Sequence, residues 1–422
     1  MNRRVRKLAV FGVLAMTAAL VSPTTEAIAS HSGSLTVQVG SQMAVGKNCN
    51  PETFRGCRPA ESMRFLAPAL SVHKGDTLTF DFASFHTASL LPVGQDALAF
   101  RAANTGGVGK SFSLLIPDPD DTTAEGAAAD KPAVKANPAV GAPSIGGVPV
   151  TCGATVDDPC NYDGTEVVNS GLPLGPPPIT FSSTIDANPG ESFWVICLVH
   201  THMFLRVNVV AASAPTSTQP DIDAAKASMT AFDQEWAETT DAKLINKQSS
   251  HVTSSGKKIY DVSAGKDSHW ASLLGFYPAR TEVPRGATVR YHFSDLIYED
   301  HTVTLPLPSV FSLIDEFFVP MCDLDGDTGS APDTRDESVP PAPPCGNPAQ
   351  LEIDISSRGQ HGFGDGIFRG SSDIEHSGIR GAQFRNDFYD VNFNARSAKK
   401  GWRFLCLVHP VMRGRVVVKP TT

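Results

Sequence analysis

Two short stretches of the chain carry the same chemistry at the same spacing: Cys197-Leu198-Val199-His200-Thr201-His202-Met203 and Cys406-Leu407-Val408-His409-Pro410-Val411-Met412. Each Cys, His and Met of the second lies 209 positions after its counterpart in the first. An aliphatic strand enters each loop, and a basic, Val-rich strand leaves it, through Arg206-Val207-Asn208-Val209-Val210 and Arg413-Gly414-Arg415-Val416-Val417-Val418. A thiolate, an imidazole and a thioether on one tight loop, joined by a second imidazole from elsewhere, form the trigonal His₂Cys set with a weak axial Met that suits type 1 copper. Taken singly, each residue reads as a buried Cys, a surface His or a core Met; the repeat of the whole set points to chemistry.

The elements that must supply the second imidazole repeat as well. Val72-His73-Lys74-Gly75-Asp76-Thr77-Leu78-Thr79-Phe80 reads as a turn feeding an alternating strand and leads to His86. Val283-Pro284-Arg285-Gly286-Ala287-Thr288-Val289-Arg290-Tyr291 does the same and leads to His301. Phe65 and Phe276 each lie ten residues before the shared Gly. Two copies of one β-unit are therefore expected.

These residues resemble the cupredoxins, and the second loop is similar to that of amicyanin in its Cys-x-x-His-x-x-Met spacing and its continuation into a Val-rich strand. The resemblance covers the core strands of both halves and has a plastocyanin-like character. It implies an all-β chain of two Greek-key β-sandwiches, each holding one type 1 copper used for single-electron transfer. The implied ligands are His86, Cys197, His200 and Met203 in one half and His301, Cys406, His409 and Met412 in the other. One departure stands out: amicyanin-like loops commonly have Pro where this chain has Val199 and Val408. Valine keeps an N–H that proline lacks, so an amide from that position is expected to reach the Cys sulfur and raise the potential.

At 422 residues the chain can build two or more cores. Its start reads as an export signal: Arg3, Arg4, Arg6 and Lys7, then the apolar run Leu8 to Val21, too short to span a bilayer, then Ala27-Ile28-Ala29 as a cleavage site. Without residues 1–29 the formal net charge changes from −9 to −12, which excludes a nucleic-acid partner. No later segment reads as transmembrane. The expected location is periplasmic or extracellular, with a redox protein as partner.

Of the eight Cys, six remain beside the two candidate ligands, and they fall as near neighbours: Cys49 with Cys57, Cys152 with Cys160, Cys322 with Cys345. In an oxidising compartment these are expected to be disulfides, the local pairing being preferred among the 15 that six Cys allow. The expected organisation is residues 30–212 and 251–422 as two β-domains, with 213–250 as a helical linker. Asp221–Lys247 lacks Pro and Gly, and Ile222, Ala225, Met229, Phe232 and Trp236 recur at helical spacing as an expected packing stripe. Residues 117–150 and 323–350 have loop composition and read as insertions. Asp323-Leu324-Asp325-Gly326-Asp327 lacks the distal Glu of an EF-hand and reads as a solvated acidic turn. Gly362, Gly364, Gly366 and Gly370 read as a flexible loop, and His202 as an exposed bystander.

Three functions use these ligands. An electron carrier would expose the His200 or His409 edge within an apolar patch, which Leu407, Pro410 and Val411 would supply. A copper oxidoreductase of the nitrite reductase or multicopper oxidase kind would need further copper wired through a His beside the Cys, yet the neighbours are Ile196, Leu198, Leu405 and Leu407. Copper delivery or storage would favour fast exchange, which a buried thiolate opposes. The carrier is the reading the sequence favours over catalysis.

Overall fold

The computed structural model describes residues 33–50, 56–103, 115–117, 134–136, 141, 143–146, 148–173, 178–200, 202–293, 299–310, 319–322, 351–355, 361–381 and 388–420. The export signal, the Cys322–Cys345 pairing and the acidic turn at 323–327 lie outside the described residues. The chain is mostly β, as expected.

Each half builds two layers. In the first, strand Ser34–Val45 pairs antiparallel with Arg58–Phe65 and parallel with Thr77–Phe82, which pairs antiparallel with Thr180–Ile185. In the second, Lys258–Asp267 pairs antiparallel with Ala271–Tyr277 and parallel with Thr288–His292, which pairs antiparallel with Phe388–Phe393. The facing sheets contain the strands around the ligand loops: Ser192–Ile196 with Phe204–Val210, and Trp402–Leu405 with Arg413–Lys419. Phe204–Val210 alternates half-buried and buried residues along its length, the period of two that a strand with one face on a core imposes. One core cluster joins Val37, Phe80 and Phe181 to Val195 and Val207, and a second joins Val262, Tyr291 and Val391 to Phe404 and Val416, so each core sits between its two sheets.

The halves share one sheet. Arg58–Phe65 pairs antiparallel with Ala271–Tyr277, with Ser62 opposite Ala271, Glu61 opposite Ser272 and Ala60 opposite Leu273. Two runs of five strands thus become continuous. Nothing in the local sequence marks this edge pairing.

The linker helix forms at Gln219–Leu244, with Thr218 as its N-cap and Pro220 in the first turn. Its packed face keeps most of the expected apolar stripe, with Ile222 buried, Ala225, Met229 and Trp236 half-buried and Trp236 packed on a core cluster, but it also takes in two aspartates and leaves out Phe232. Ile222, Asp233, Ala237 and Asp241 are buried, whereas Phe232 is 59% exposed. The reason is charge pairing at the seam between the halves. Asp233 accepts from Arg64 Nε at 2.9 Å and Ser62 Oγ at 2.6 Å, and Asp241 pairs with Arg58 and accepts from Tyr277 Oη at 3.2 Å.

The first insertion, 117–150, also differs from the expected loop, while 323–350 lies outside the described residues. Strands Leu115–Pro117 and Val134–Ala136 from the first half and Val319–Cys322 and Leu351–Ile355 from the second form one four-stranded sheet. Val134–Ala136, inside the segment read as a loop, pairs with Leu115–Pro117 of its own half and with Leu351–Ile355 of the other. Within the Gly-rich segment, His361–Phe363 is a strand paired with Glu375–Gly378. Two of the three expected disulfides fall within the described residues, Cys49–Cys57 and Cys152–Cys160, and both are formed; Cys197 and Cys406 are free thiols. No helix among the described residues is long and apolar enough to cross a membrane.

Candidate metal centres

Cys197 follows strand Ser192–Ile196 and Met203 precedes strand Phe204–Val210, and the Cys197 amide donates to the Met203 carbonyl at 3.1 Å. The loop is therefore closed at its base with Cys and Met side by side. Cys406 and Met412 repeat the bond at 3.1 Å. His86 follows strand Thr77–Phe82 after a short bend, and His301 lies on the short strand Asp300–His301.

In the first half, Cys197 Sγ lies 4.0 Å from His86 Nδ1 and 3.8 Å from His200 Nδ1, and the two Nδ1 atoms are 2.7 Å apart. In the second, Cys406 Sγ lies 3.8 Å from His301 Nδ1 and 3.9 Å from His409 Nδ1, with 3.1 Å between the nitrogens. These are the two His and Cys groups among the described residues that could hold a metal ion. A first-row ion about 2.0–2.1 Å from nitrogen and about 2.3 Å from sulfur, with trigonal angles, needs about 3.8 Å between S and N and about 3.5 Å between the nitrogens. The sulfur–nitrogen distances meet that requirement, and the nitrogens sit somewhat closer. Met203 and Met412 are buried in the same core clusters as their cysteines.

Residues the sequence reading passed over hold these groups in place. The Thr87 and His200 amides donate to Cys197 Sγ at 3.4 Å each, and the Thr302 and His409 amides to Cys406 Sγ at 3.2 and 3.3 Å. The sulfur-directed amides thus come from the loop His, one residue beyond Val199 and Val408, and from the Thr after the strand-side His; this corrects the expected role of the two valines. Thr87 and Thr302 Oγ1 accept from the Leu198 and Leu407 amides at 2.7 Å, fixing the residue after each Cys. Their signal was present in the repeat itself, as His86-Thr87 and His301-Thr302. In the first half, the buried Arg101 Nη1 also donates to the carbonyls of Cys197 at 2.6 Å and His200 at 3.0 Å.

Two buried carboxylates had no such signal. Glu61 Oε1 lies 3.1 Å from His86 Nε2, close enough for an ion pair though not aligned as a hydrogen bond. Glu299 stands between the two centres, with Oε1 3.2 Å from His200 Nε2 and Oε2 3.5 Å from His409 Nε2. Their counterparts in the other half are Ser272, opposite Glu61 in the joined sheet, and Ser84, two residues before His86 as Glu299 is before His301. A pattern built on the repeat therefore misses both.

The expected exposed imidazole is also corrected. The His200 side chain is 4% exposed and Leu407 is buried, because the other half covers them; His409 is 17% exposed and Val411 59%. His202 is exposed, as expected.

The electrostatics follow from this enclosure. Burial opposes the charges on Cys197, His200, Glu299, Cys406 and His409, yet their mutual pairs outweigh it. The Glu299 charge and the Cys197 hydrogen bond hold His200 well above the usual histidine range, and hydrogen bonds from His200 and His86 bring the Cys197 thiol well down. His200 and His409 hold the Glu299 carboxyl well below its usual range. In the second half burial is again outweighed: hydrogen bonds from His301 and His409 bring Cys406 to about 5, and those to Cys406 and Glu299 push His409 up to about 10. Without metal the pairs Cys197–His200 and Cys406–His409 are held toward thiolate and imidazolium.

No family model and no curated protein matches the sequence. Among solved structures the chain is similar to a Cu-containing nitrite reductase from Thermus scotoductus SA-01, at 12% identity and TM-score 0.18, covering 93% of this chain and 69% of that one. It is also similar to a copper nitrite reductase from Nitrosomonas europaea, at 9% identity and TM-score 0.15, covering 92% and 93%. A third is a blue copper oxidase from Nitrosomonas europaea, at 10% identity and TM-score 0.16, covering 91% and 85%. At such TM-scores these likenesses carry no argument for this chain's chemistry.

Proposed function

We propose that the chain is an exported redox protein of the cupredoxin kind, with residues 30–212 and 251–422 each holding one type 1 copper for single-electron transfer. The observation that supports this is the convergence of two Nδ1 atoms and one thiolate in each half, beside a buried Met on the same loop. The donor set favours copper over zinc, since structural zinc takes four Cys or His ligands whereas a thioether suits Cu(I). His86, Cys197, His200 and Met203 would hold one ion, and His301, Cys406, His409 and Met412 the other. Bound there, copper would supply one-electron chemistry between Cu(II) and Cu(I).

The protein's own groups prepare the sites. The paired amides disperse charge on each sulfur, and the carboxylates beside Nε2 of His86, His200 and His409 favour the tautomer that turns a free Nδ1 toward the site. The closed loops and apolar cores exclude water and hold the donors in place. The two disulfides fit an oxidising compartment. Burial of both thiolates disfavours the fast exchange that copper delivery would need.

Copper content and the visible spectrum test this reading. Two ions per chain are expected, with Cys197→Ser and Cys406→Ser each removing about half of the intense thiolate-to-copper absorption. Loss of all of it, or none, from either single change would refute two independent type 1 sites.

A second reading, a copper-dependent oxidoreductase, is favoured by the burial of His200, which takes from the first centre the exposed edge a simple carrier would use. Steady consumption of nitrite or dioxygen by the copper-loaded chain, lost in His86→Ala or His301→Ala, would put catalysis first.

A further inference from the structure

Much of the apolar surface around the ligand loops is covered by the other half. Ile196 and Leu198, which flank Cys197, lie in one buried cluster with Leu405 and Leu407, which flank Cys406. Val199 and Val408 pack against the same cluster. The surface that a carrier would turn toward a partner is spent on a dry contact between the two loops. At this contact Glu299, which is 6% exposed, has one carboxylate oxygen toward His200 Nε2 and the other toward His409 Nε2. Both imidazoles turn their Nδ1 atoms to a thiolate, so a continuous line of contacts runs from Cys197 through His200, Glu299 and His409 to Cys406.

The two ends of this line differ in access. His200 is closed from solvent, whereas His409 keeps an exposed edge beside Val411. Resting on the copper reading above, we infer that the two halves are each other's redox partner: an electron accepted at the second centre reaches the first through His409, Glu299 and His200. With copper held by both ligand sets, the exchange would balance as one electron, the second centre's ion passing from Cu(I) to Cu(II) as the first's passes from Cu(II) to Cu(I). No bond forms or breaks and no proton leaves the carboxylate. The electron is supplied from outside by a one-electron reductant. Glu299 acts as a positioning residue, holding the two imidazole edges on one acceptor group in a water-free contact where the low dielectric strengthens both interactions.

The test uses the full copper-loaded chain mixed with a bulky one-electron reductant, reduced cytochrome c, while the blue absorption is followed in time. In the wild type both halves of the absorption should bleach together. In Cys406→Ser the first centre should lose its rapid bleaching, because its route in is gone; in Cys197→Ser the second centre should keep it. In Glu299→Gln, which keeps the size but removes the charge and one of the two acceptor oxygens, half of the absorption should bleach at the wild-type rate and the other half slowly. Glu299→Asp, one methylene too short to reach both rings, should also be biphasic and serves if the Gln variant binds copper poorly. Rapid bleaching of the first centre in Cys406→Ser, or single-phase bleaching at the wild-type rate in a Glu299 variant holding two coppers, would overturn the inference while leaving the copper reading intact. Absence of blue absorption from the copper-loaded wild type would instead overturn the reading on which it rests.

Discussion

Gly40→Ala should erase the first metal centre and spare the second. Gly40 sits at the bulge in strand Ser34–Val45, at φ +69, a left-handed backbone that costs an alanine about 1–2 kcal/mol. Strain is the smaller part. A Cβ there would lie well under 3.0 Å from Ser84 Oγ and from the His86 ring, so one or both must move by about 1 Å to reach ordinary contact. Overpacking of that kind costs about 1–3 kcal/mol more, for a total of about 2–5 kcal/mol. A binding constellation tolerates displacements of about 0.5 Å, so His86 Nδ1 should leave the ligand set before the chain unfolds. Gly75→Ala separates the two effects: its φ is +94, with nothing within 4 Å of the added Cβ, so it carries strain without a clash. The assay is denaturant unfolding together with copper content and the blue absorption, repeated in a Cys406→Ser background where only the first centre absorbs. Gly40→Ala should lose that absorption, and Gly75→Ala should keep it at a cost of about 1–2 kcal/mol. Equal stability losses with the first centre intact in both would show that His86 is not held by the absence of a side chain at Gly40.

Asp233→Ala should cost about 3–5 kcal/mol in chemical unfolding, because it leaves the Arg64 guanidinium unpaired at the seam of the two halves; a loss under about 1 kcal/mol would place that pair among ordinary surface bridges. Val408→Pro should leave the potential of the second centre unchanged, since the amides on Cys406 belong to Thr302 and His409; a drop in potentiometric titration would mean that Val408 also acts on the sulfur. In metal-free protein the Cys406 pKa falls from 9.0 to about 5 on folding, so its contribution grows with pH across that interval, while His409 rises from 6.5 to about 10 and its contribution declines from 6.5 upward. The stability difference between metal-free wild type and a Cys406→Ala, His409→Ala double variant should thus form a plateau between 6.5 and 9 and fall on either side. A difference that does not vary with pH would mean the pair is uncharged.

The candidate ligands were legible in the sequence because a donor set built on one tight loop is a local pattern: Cys, His and Met at fixed spacing, with the closing bond from the Cys amide to the Met carbonyl, need only the strands on either side. Repetition over 209 positions made the pattern specific. The same locality exposed the Cys49–Cys57 and Cys152–Cys160 bridges, each closing a separation of 8 residues, and the helix behind its Thr218 cap. What only the tertiary structure decided was how the copies meet. The pairing of Arg58–Phe65 with Ala271–Tyr277 turned two of the helix's aspartates inward beside its apolar stripe, because half-buried Arg58 and Arg64 needed charge partners, and Phe232 was left exposed. Docking of the two loops hid His200 and made Glu299 common to both centres. These contacts join residues far apart in the chain and break the repeat, with Ser84 and Ser272 standing where a strict repeat would place Glu. Hydrophobic burial and charge pairing act on whatever surfaces the fold brings together, and no local spacing records which surfaces those are.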